Sequence, residues 1–546
     1  MPWNQAYDPA GQWLVSTLLA ALPVFVLLGT LAFLKLKAHW AASLGLLSAL
    51  FIALVVFGMP TGKGAAAAVY GAAYGLFPIG WIILNVIFLY SLAEEKGYFT
   101  ILRESLAGVT RDRRLQLLLI SFSFGAFFEG AAGFGTPVAV SAAILIGLGF
   151  SPLLASGLSL IANTAPVAFG ALGTPLIALA GVTGLDLRAL SAMVARQLPI
   201  FSIIIPFWLI WVYAGWRGMK GVWPALLVAG VSFAVPQFLL ATFHGPWLAG
   251  VGAAVVSIGT LFAFLRVWRP RKIWLGGRGE TWDETAASVS PAGAGAAGRR
   301  PRAQVIRAWI PWLILSGLVF LWGIPAIKRL LDGIFPVKIA VPGLDRMIFR
   351  MPPVVPVPAP EAAVFSLNGL SATGSGIFLA ALASAAVMNY SLQEMVRVWW
   401  KTLKRVRFSL LTVSAMMAIG FVTRYGGLDA TMGLAFARTG VLYPFFGTML
   451  GWLGVALTGS DTSSNVLFGS LQKITAAQLG LDPTLMAAAN SSGGVMGKMI
   501  DAQSIVVAST ATKWYGQEGR ILRFVFFHSL ALAGLMGLLV MLEAYL

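Results

Sequence analysis

The stretch "NSSGGVMGKMIDAQS", residues 490–504, gathers hydroxyls, amides, three glycines, a lysine and an aspartate in a chain that is 58% hydrophobic and 11% charged. It lies between the helical-looking "TLMAAA" and the apolar "IVVAST". The surrounding composition is not that of a soluble domain. Mean hydropathy is +0.84, and the 546 residues include 35 Phe and 19 Trp. Apolar runs at 14–33, 41–56, 225–240, 309–323 and 524–542 approach the roughly 20 residues a helix needs to cross a bilayer core. The class is therefore an all-α polytopic membrane protein.

Charge sets the expected orientation. The net charge of +18 is unevenly spread: alternate loops hold 26 of the 38 Lys and Arg, and the intervening loops hold 10. This is the positive-inside pattern of an inner membrane, not the footprint of a nucleic-acid binder. No cation precedes the first apolar run in "MPWNQAYDPAGQW", so that run reads as a retained span rather than a cleaved signal. Cysteine is absent, which excludes disulfides and thiolate chemistry. His39, His244 and His528 are far apart in sequence and read as interfacial or packing residues. Neither a metal site nor a cofactor is called for.

The spans can then be counted. Residues 11–34, 40–59 and 65–92 cross three times and end at a basic cytoplasmic loop. Residues 116–150, interrupted by "EGAAGFGTP", read as a re-entrant helical hairpin, and 153–180 as a crossing helix broken near Asn163. Spans at 199–214, 222–242 and 246–266 complete a first half, 1–266. The Gly/Ala/Pro-rich stretch 267–306 reads as a flexible cytoplasmic linker. In the second half, 307–546, spans at 308–326, 366–386 and 407–422 lead to a hairpin at 441–478, interrupted by "TGSDTSSN". A broken helix at 484–510 and a last span at 523–545 follow. The external "RMPPVVPVPAP" is expected to run extended. The total is about twelve crossings and two hairpins, with both termini outside.

The two broken regions match. "ANTAPVAFG" (162–170) aligns with "ANSSGGVMG" (489–497), and "GFSP" (149–152) with "GLDP" (480–483). By the charge pattern the first hairpin enters from the cytoplasm and the second from outside. Inverted repeats with discontinuous helices meeting near the midplane are a recurrent design of secondary transporters. A break at Asn490–Gly494 would expose backbone N–H groups and a positive helix end, which suit an anion. Asn163, Thr164, Ser460, Thr462, Ser463, Asn490 and Ser491 are thus expected around one mid-membrane cavity, binding substrate. Lys498 either joins them, paired with Asp461 or Asp501, or snorkels to the interface. Glu129 is the leading proton carrier, because a carboxyl in low dielectric is costly to ionise, and Asp461 and Asp501 are its rivals.

The blocks "GAFFEGAAGFGTPVAVSAAILIGLGF", "NTAPVAFGALGTP", "LTGSDTSSNVLF" and "AANSSGGVMGKMI", with "YDPAG" and "RMPPVV", resemble the L-lactate permease family of proton-coupled 2-hydroxycarboxylate transporters. The resemblance covers essentially the whole chain. It implies uptake of L-lactate, with D-lactate and glycolate, driven by protons. Similarity to the wider ion-transporter superfamily implies an elevator-like motion and a homodimer. One departure stands out: after "GKMI" the family pattern has a small polar residue and a proline, and this chain has Asp501–Ala502. The added acid bears on coupling stoichiometry and substrate range.

Two other functions compete. A Na⁺-coupled carboxylate carrier of related fold would use the same broken-helix oxygens. A membrane enzyme or sensor has no Cys, His cluster or nucleotide loop to support it. An aspartic intramembrane protease would have to build its dyad from Asp461 and Asp501.

Overall fold

The computed structural model describes residues 2–32, 34, 36–98, 100–102, 109–131, 136–275, 301–334, 337–514 and 517–546. Among these, nine helices are long and apolar enough to cross a membrane, or ten if the bent pair at 152–183 counts as one span. Their outward faces carry Leu, Val, Phe and Trp, while buried positions are rich in Ala, Gly and Ser. That is how helices pack in lipid, where small residues let backbones approach.

Two helical hairpins flank two broken helices. The inbound arm of the first hairpin runs through Arg113–Leu117, a widened π segment Leu118–Phe124, and Gly125–Ala131; Thr136–Gly147 returns. Ser141 Oγ donates across the arms to the Ile120 carbonyl at 3.3 Å. Pro152–Ala162 and Val167–Thr183 then form the first broken helix, bent by 66°. The second hairpin joins Tyr443–Thr458 to Asp461–Gln478 through Gly459, whose φ of 72° suits glycine at so tight a turn. The second broken helix is Pro483–Gly497 followed by Ala502–Ala511.

The second break is displaced from the expected place. Residues 490–497 are helical, and the chain opens only at Lys498–Asp501. The glycines explain why. A Cβ on Gly493 or Gly497 would collide with the Thr448 or Trp452 carbonyl, and one on Gly451 with the Asn490 carbonyl. They let the helices Pro483–Gly497 and Tyr443–Thr458 touch backbone to backbone. Asp501 then starts the next helix, its side chain accepting from Ser504 N at 2.7 Å.

Two helices run longer than their apolar cores suggested. Leu187–Lys220 extends the expected 199–214 span at both ends, and its start is capped by Asp186. Leu392–Gly426 extends the expected 407–422 span through "LQEMVRVWWKTLKRVRF". Ser391 and Glu394 form a capping box there, and Val398, Thr402 and Val406 bury one face while the charges stay outside.

The protein is not wholly helical. Trp3–Asn4, Ile348–Arg350 and Ala359–Pro360 form a small sheet, and Val337–Ala340 pairs with Val364–Leu367. The proline-rich stretch 350–360 therefore turns back on itself instead of running extended. Burial opposes ionisation of Glu361 there, but the Arg424 and Arg350 guanidiniums outweigh it and hold this carboxyl below its usual range. Arg424 also donates to the Gly181 and Val182 carbonyls, and Lys473 to that of Thr183, at the end of the first broken helix.

The linker differs too. Residues 268–275 dock on the base of the first hairpin: Arg113 N donates to Trp274 O, and Arg114 Nη2 to Lys272 O. A helix begins at Arg302, inside the expected linker. The rest of the expected flexible linker, 276–300, lies outside the described residues.

Candidate functional site

Each hairpin presents a buried acid to the broken helix of its own half. Glu129, on Gly125–Ala131, accepts a hydrogen bond from Asn163 Nδ2 at 3.0 Å. Asn163 ends the helix Pro152–Ala162, where the chain turns away. Gly170 sits directly against the acid, since a Cβ there would lie 2.7 Å from Glu129 Oε1. The open backbone of the break is braced by Gln237, which donates to the Ala165 carbonyl at 3.1 Å and accepts from Ser202.

Asp461 repeats this arrangement with different residues. It is the first residue of the helix Asp461–Gln478, at a positive dipole end, and accepts from Ser491 Oγ at 2.6 Å and Asn465 Nδ2 at 3.4 Å. A Cβ on Gly494 would collide with its Oδ1. So Glu129–Asn163–Gly170 and Asp461–Ser491–Gly494 are counterparts: an acid, a neutral donor and a glycine that makes room. The acids differ in position, Glu129 ending an inbound arm and Asp461 beginning a return arm.

Lys498 is 6% exposed and does not snorkel. Its Nζ donates to the Gly459 carbonyl at 2.6 Å and meets Asp501 Oδ2 at 3.2 Å. Lys498 and Asp501 both act electrostatically on Glu129, and Lys498 and Glu129 on Asp461. The four ionisable groups share one buried neighbourhood. The helix Pro483–Gly497 packs against the turn Val167–Phe169, which joins the two halves at this level.

The remaining expected residues divide. Asn490 is fully engaged: its Nδ2 donates to Asn465 Oδ1 at 3.0 Å, and its Oδ1 accepts from Gln472 Nε2 at 3.2 Å. Gln472 Oε1 in turn accepts from Tyr443 OH. Asn490 thus belongs to an amide ladder that ties the second hairpin to its broken helix. Thr164 Oγ1 bonds back to the Ile161 carbonyl, within its own chain segment. Ser460 is the N-cap that accepts from Ser463 N at 3.3 Å, and Thr462 lies half-buried in the same turn.

Some buried atoms have no hydrogen-bond partner among the described residues. Asn163 Oδ1, Asp461 Oδ1, Ser492 Oγ and Ser504 Oγ are four that lie in or beside the two broken helices. Unsatisfied polar atoms at such burial are costly and mark places for a ligand, a proton or water. Asn465, Gln472, Ser492 and Ser504 were not among the residues expected at the site, and Gly494 was expected only as the end of a break. Asn465 carried a usable signal, because on a helix it lies one turn from Asp461.

This is a polytopic helical membrane protein with a buried charged site where two hairpins and two broken helices meet. Residues 16–546 match the L-lactate permease family, and the chain belongs to that family. It is 45% identical to the glycolate permease GlcA of Escherichia coli K12, across all of this chain and 98% of that protein. It is 44% identical to the L-lactate permeases of E. coli K12 and Bacillus subtilis 168, again across all of this chain and 98% of each. The chain is accordingly a transport protein and not an enzyme. The solved Neisseria gonorrhoeae MtrF structure is distantly similar, at 12% identity and a TM-score of 0.49 over 94% of this chain and 96% of that one.

Proposed function

We propose that this chain takes up L-lactate, and also D-lactate and glycolate, by symport with protons. Relatives matching it end to end are named as permeases for L-lactate and for glycolate, two 2-hydroxymonocarboxylates. One observation carries the coupling: Glu129 and Asp461 are buried, each is contacted by neutral donors, and both lie in the field of Lys498. In this reading Lys498 and the donors of the second half, Ser491 foremost, receive the carboxylate, while Glu129 carries the proton. The partnerless atoms, such as Asn163 Oδ1, accept from the substrate hydroxyl. Asp461 and Asp501 set the local field. Sodium coupling is not favoured.

The same reading assigns an inner membrane, both termini outside, twelve crossings and two re-entrant hairpins of opposite entry. The hairpins and broken helices move as an elevator-like body within a homodimer. The amide ladder from Tyr443 to Asp461 supports such a body, because it locks the second hairpin to its broken helix.

The substrate class is tested by competition. Uptake of labelled L-lactate into vesicles should fall in the presence of excess glycolate or D-lactate and be insensitive to propionate, which lacks the 2-hydroxyl. Equal competition by propionate would remove the hydroxyl from recognition.

A further inference from the structure

Far from the buried acids, a cleft of about 930 Å³ opens at the basic end of the first half. It is lined where the helix Leu187–Lys220 ends, where Trp223–Leu239 begins, and where the chain leaves Pro246–Val267. Six cations line it and, among the described residues, no carboxylate does. Arg114 is neutralised by Asp112 at 2.6 Å, and its guanidinium donates to the Gly218 and Lys272 carbonyls. These bonds fix the far wall, residues 268–275, in place. The other five cations, Arg217, Lys220, Arg269, Arg271 and Lys272, are exposed.

What lies beside the cleft narrows the choice of ligand. From Trp223 on its rim, the exposed residues Leu227, Val231, Val235 and Leu239 follow at four-residue spacing. They form an apolar stripe along the lipid-grade helix Trp223–His244. Trp223, Trp268 and Trp274 line the cleft itself, and tryptophan is the side chain that settles at headgroup level. A small free anion would use the cations and leave the stripe idle. A lipid uses both, with acyl chains along the stripe and phosphates among the cations.

We propose that this cleft binds the headgroup of an anionic phospholipid carrying two phosphates, in the leaflet that faces the basic loops. Among the described residues the five exposed cations lining the cleft have no acid beside them there; they exceed the charge of a single phosphodiester, and basic pockets between helices on this side of a membrane suit such headgroups. The bound headgroup bridges the base of the first hairpin, through residues 268–275, to the junction of the helices Leu187–Lys220 and Trp223–Leu239.

The full-length protein in neutral detergent is the material for the test, read by native mass spectrometry and thermal unfolding. Diphosphatidylglycerol should remain bound and raise the unfolding midpoint. Phosphatidylcholine and inorganic phosphate should do neither. Arg217→Gln/Lys220→Gln/Arg271→Gln/Lys272→Gln, all at exposed positions, should weaken binding of the diphosphate lipid by about three orders of magnitude. An equal shift with inorganic phosphate would make this a free-anion site, and undiminished binding by the variant would remove the cleft as the site. Were the variant not to fold, the parent still decides, because equal retention of phosphatidylcholine contradicts the proposal.

Discussion

Glu129→Gln is expected to abolish uphill, pH-driven lactate accumulation while lactate/lactate exchange across the same vesicles survives. Glutamine keeps the shape of the side chain and still accepts from Asn163 Nδ2, so the contact at 3.0 Å and the close fit against Gly170 are retained. Only the ability to take up and release a proton is lost. A permanently neutral side chain mimics the protonated carrier, which exchanges substrate but cannot return empty in the deprotonated form. The expected size of the effect is complete: accumulation falls to the level seen without a gradient. Retained pH-driven accumulation would move the proton to Asp461 or Asp501.

The second large effect is at Lys498. Replacing it by Met removes the ammonium from Asp501, which is fully buried, and from the Gly459 carbonyl. Breaking a buried pair from one side costs roughly 3–5 kcal/mol, because the remaining charge is left uncompensated. Lys498→Met should therefore lower both the unfolding midpoint and lactate affinity. Adding Asp501→Asn neutralises the stranded charge and keeps an N-cap acceptor for Ser504 N. The double variant should regain most of the stability and none of the affinity, if Lys498 receives the carboxylate. A single variant as stable as the parent would show that the ion pair contributes nothing, and restored affinity in the double variant would take Lys498 out of the binding site.

The membrane class, the hairpins' whereabouts and the first break were legible because each rests on local signals: apolar run length, glycine clusters, and Asn163 at the end of a helix. The second break was misplaced for a reason that sequence hides. Glycines and hydroxyls that break a helix in water pack it against a neighbour in lipid, and the neighbour here, Tyr443–Thr458, supplies the Thr448 and Trp452 carbonyls against which Gly493 and Gly497 lie. Asn490 looked like a ligand for the same reason. Its polarity is spent on Asn465 and Gln472, more than a dozen residues away in sequence. The equivalence of Asn163 with Ser491, and of Gly170 with Gly494, follows from what touches each acid and not from aligned letters. Arg424 and Lys473 read as ordinary cations in sequence, yet both cap the carbonyls that end the first broken helix. The capping box at Ser391–Glu394, like the spacing of Asn465 from Asp461, was a plain local signal.

The proposed coupling of lactate movement to protons at this buried site can be measured outright. Purified protein in liposomes, given labelled L-lactate on the outside, tests it most directly, with protein-free liposomes as the control for passive entry of lactic acid. An inside-alkaline pH gradient without sodium should drive accumulation well above the external concentration. A sodium gradient at equal pH should drive none. Accumulation driven by sodium at equal pH, or the absence of any pH-driven accumulation above the protein-free control, would rule out proton symport.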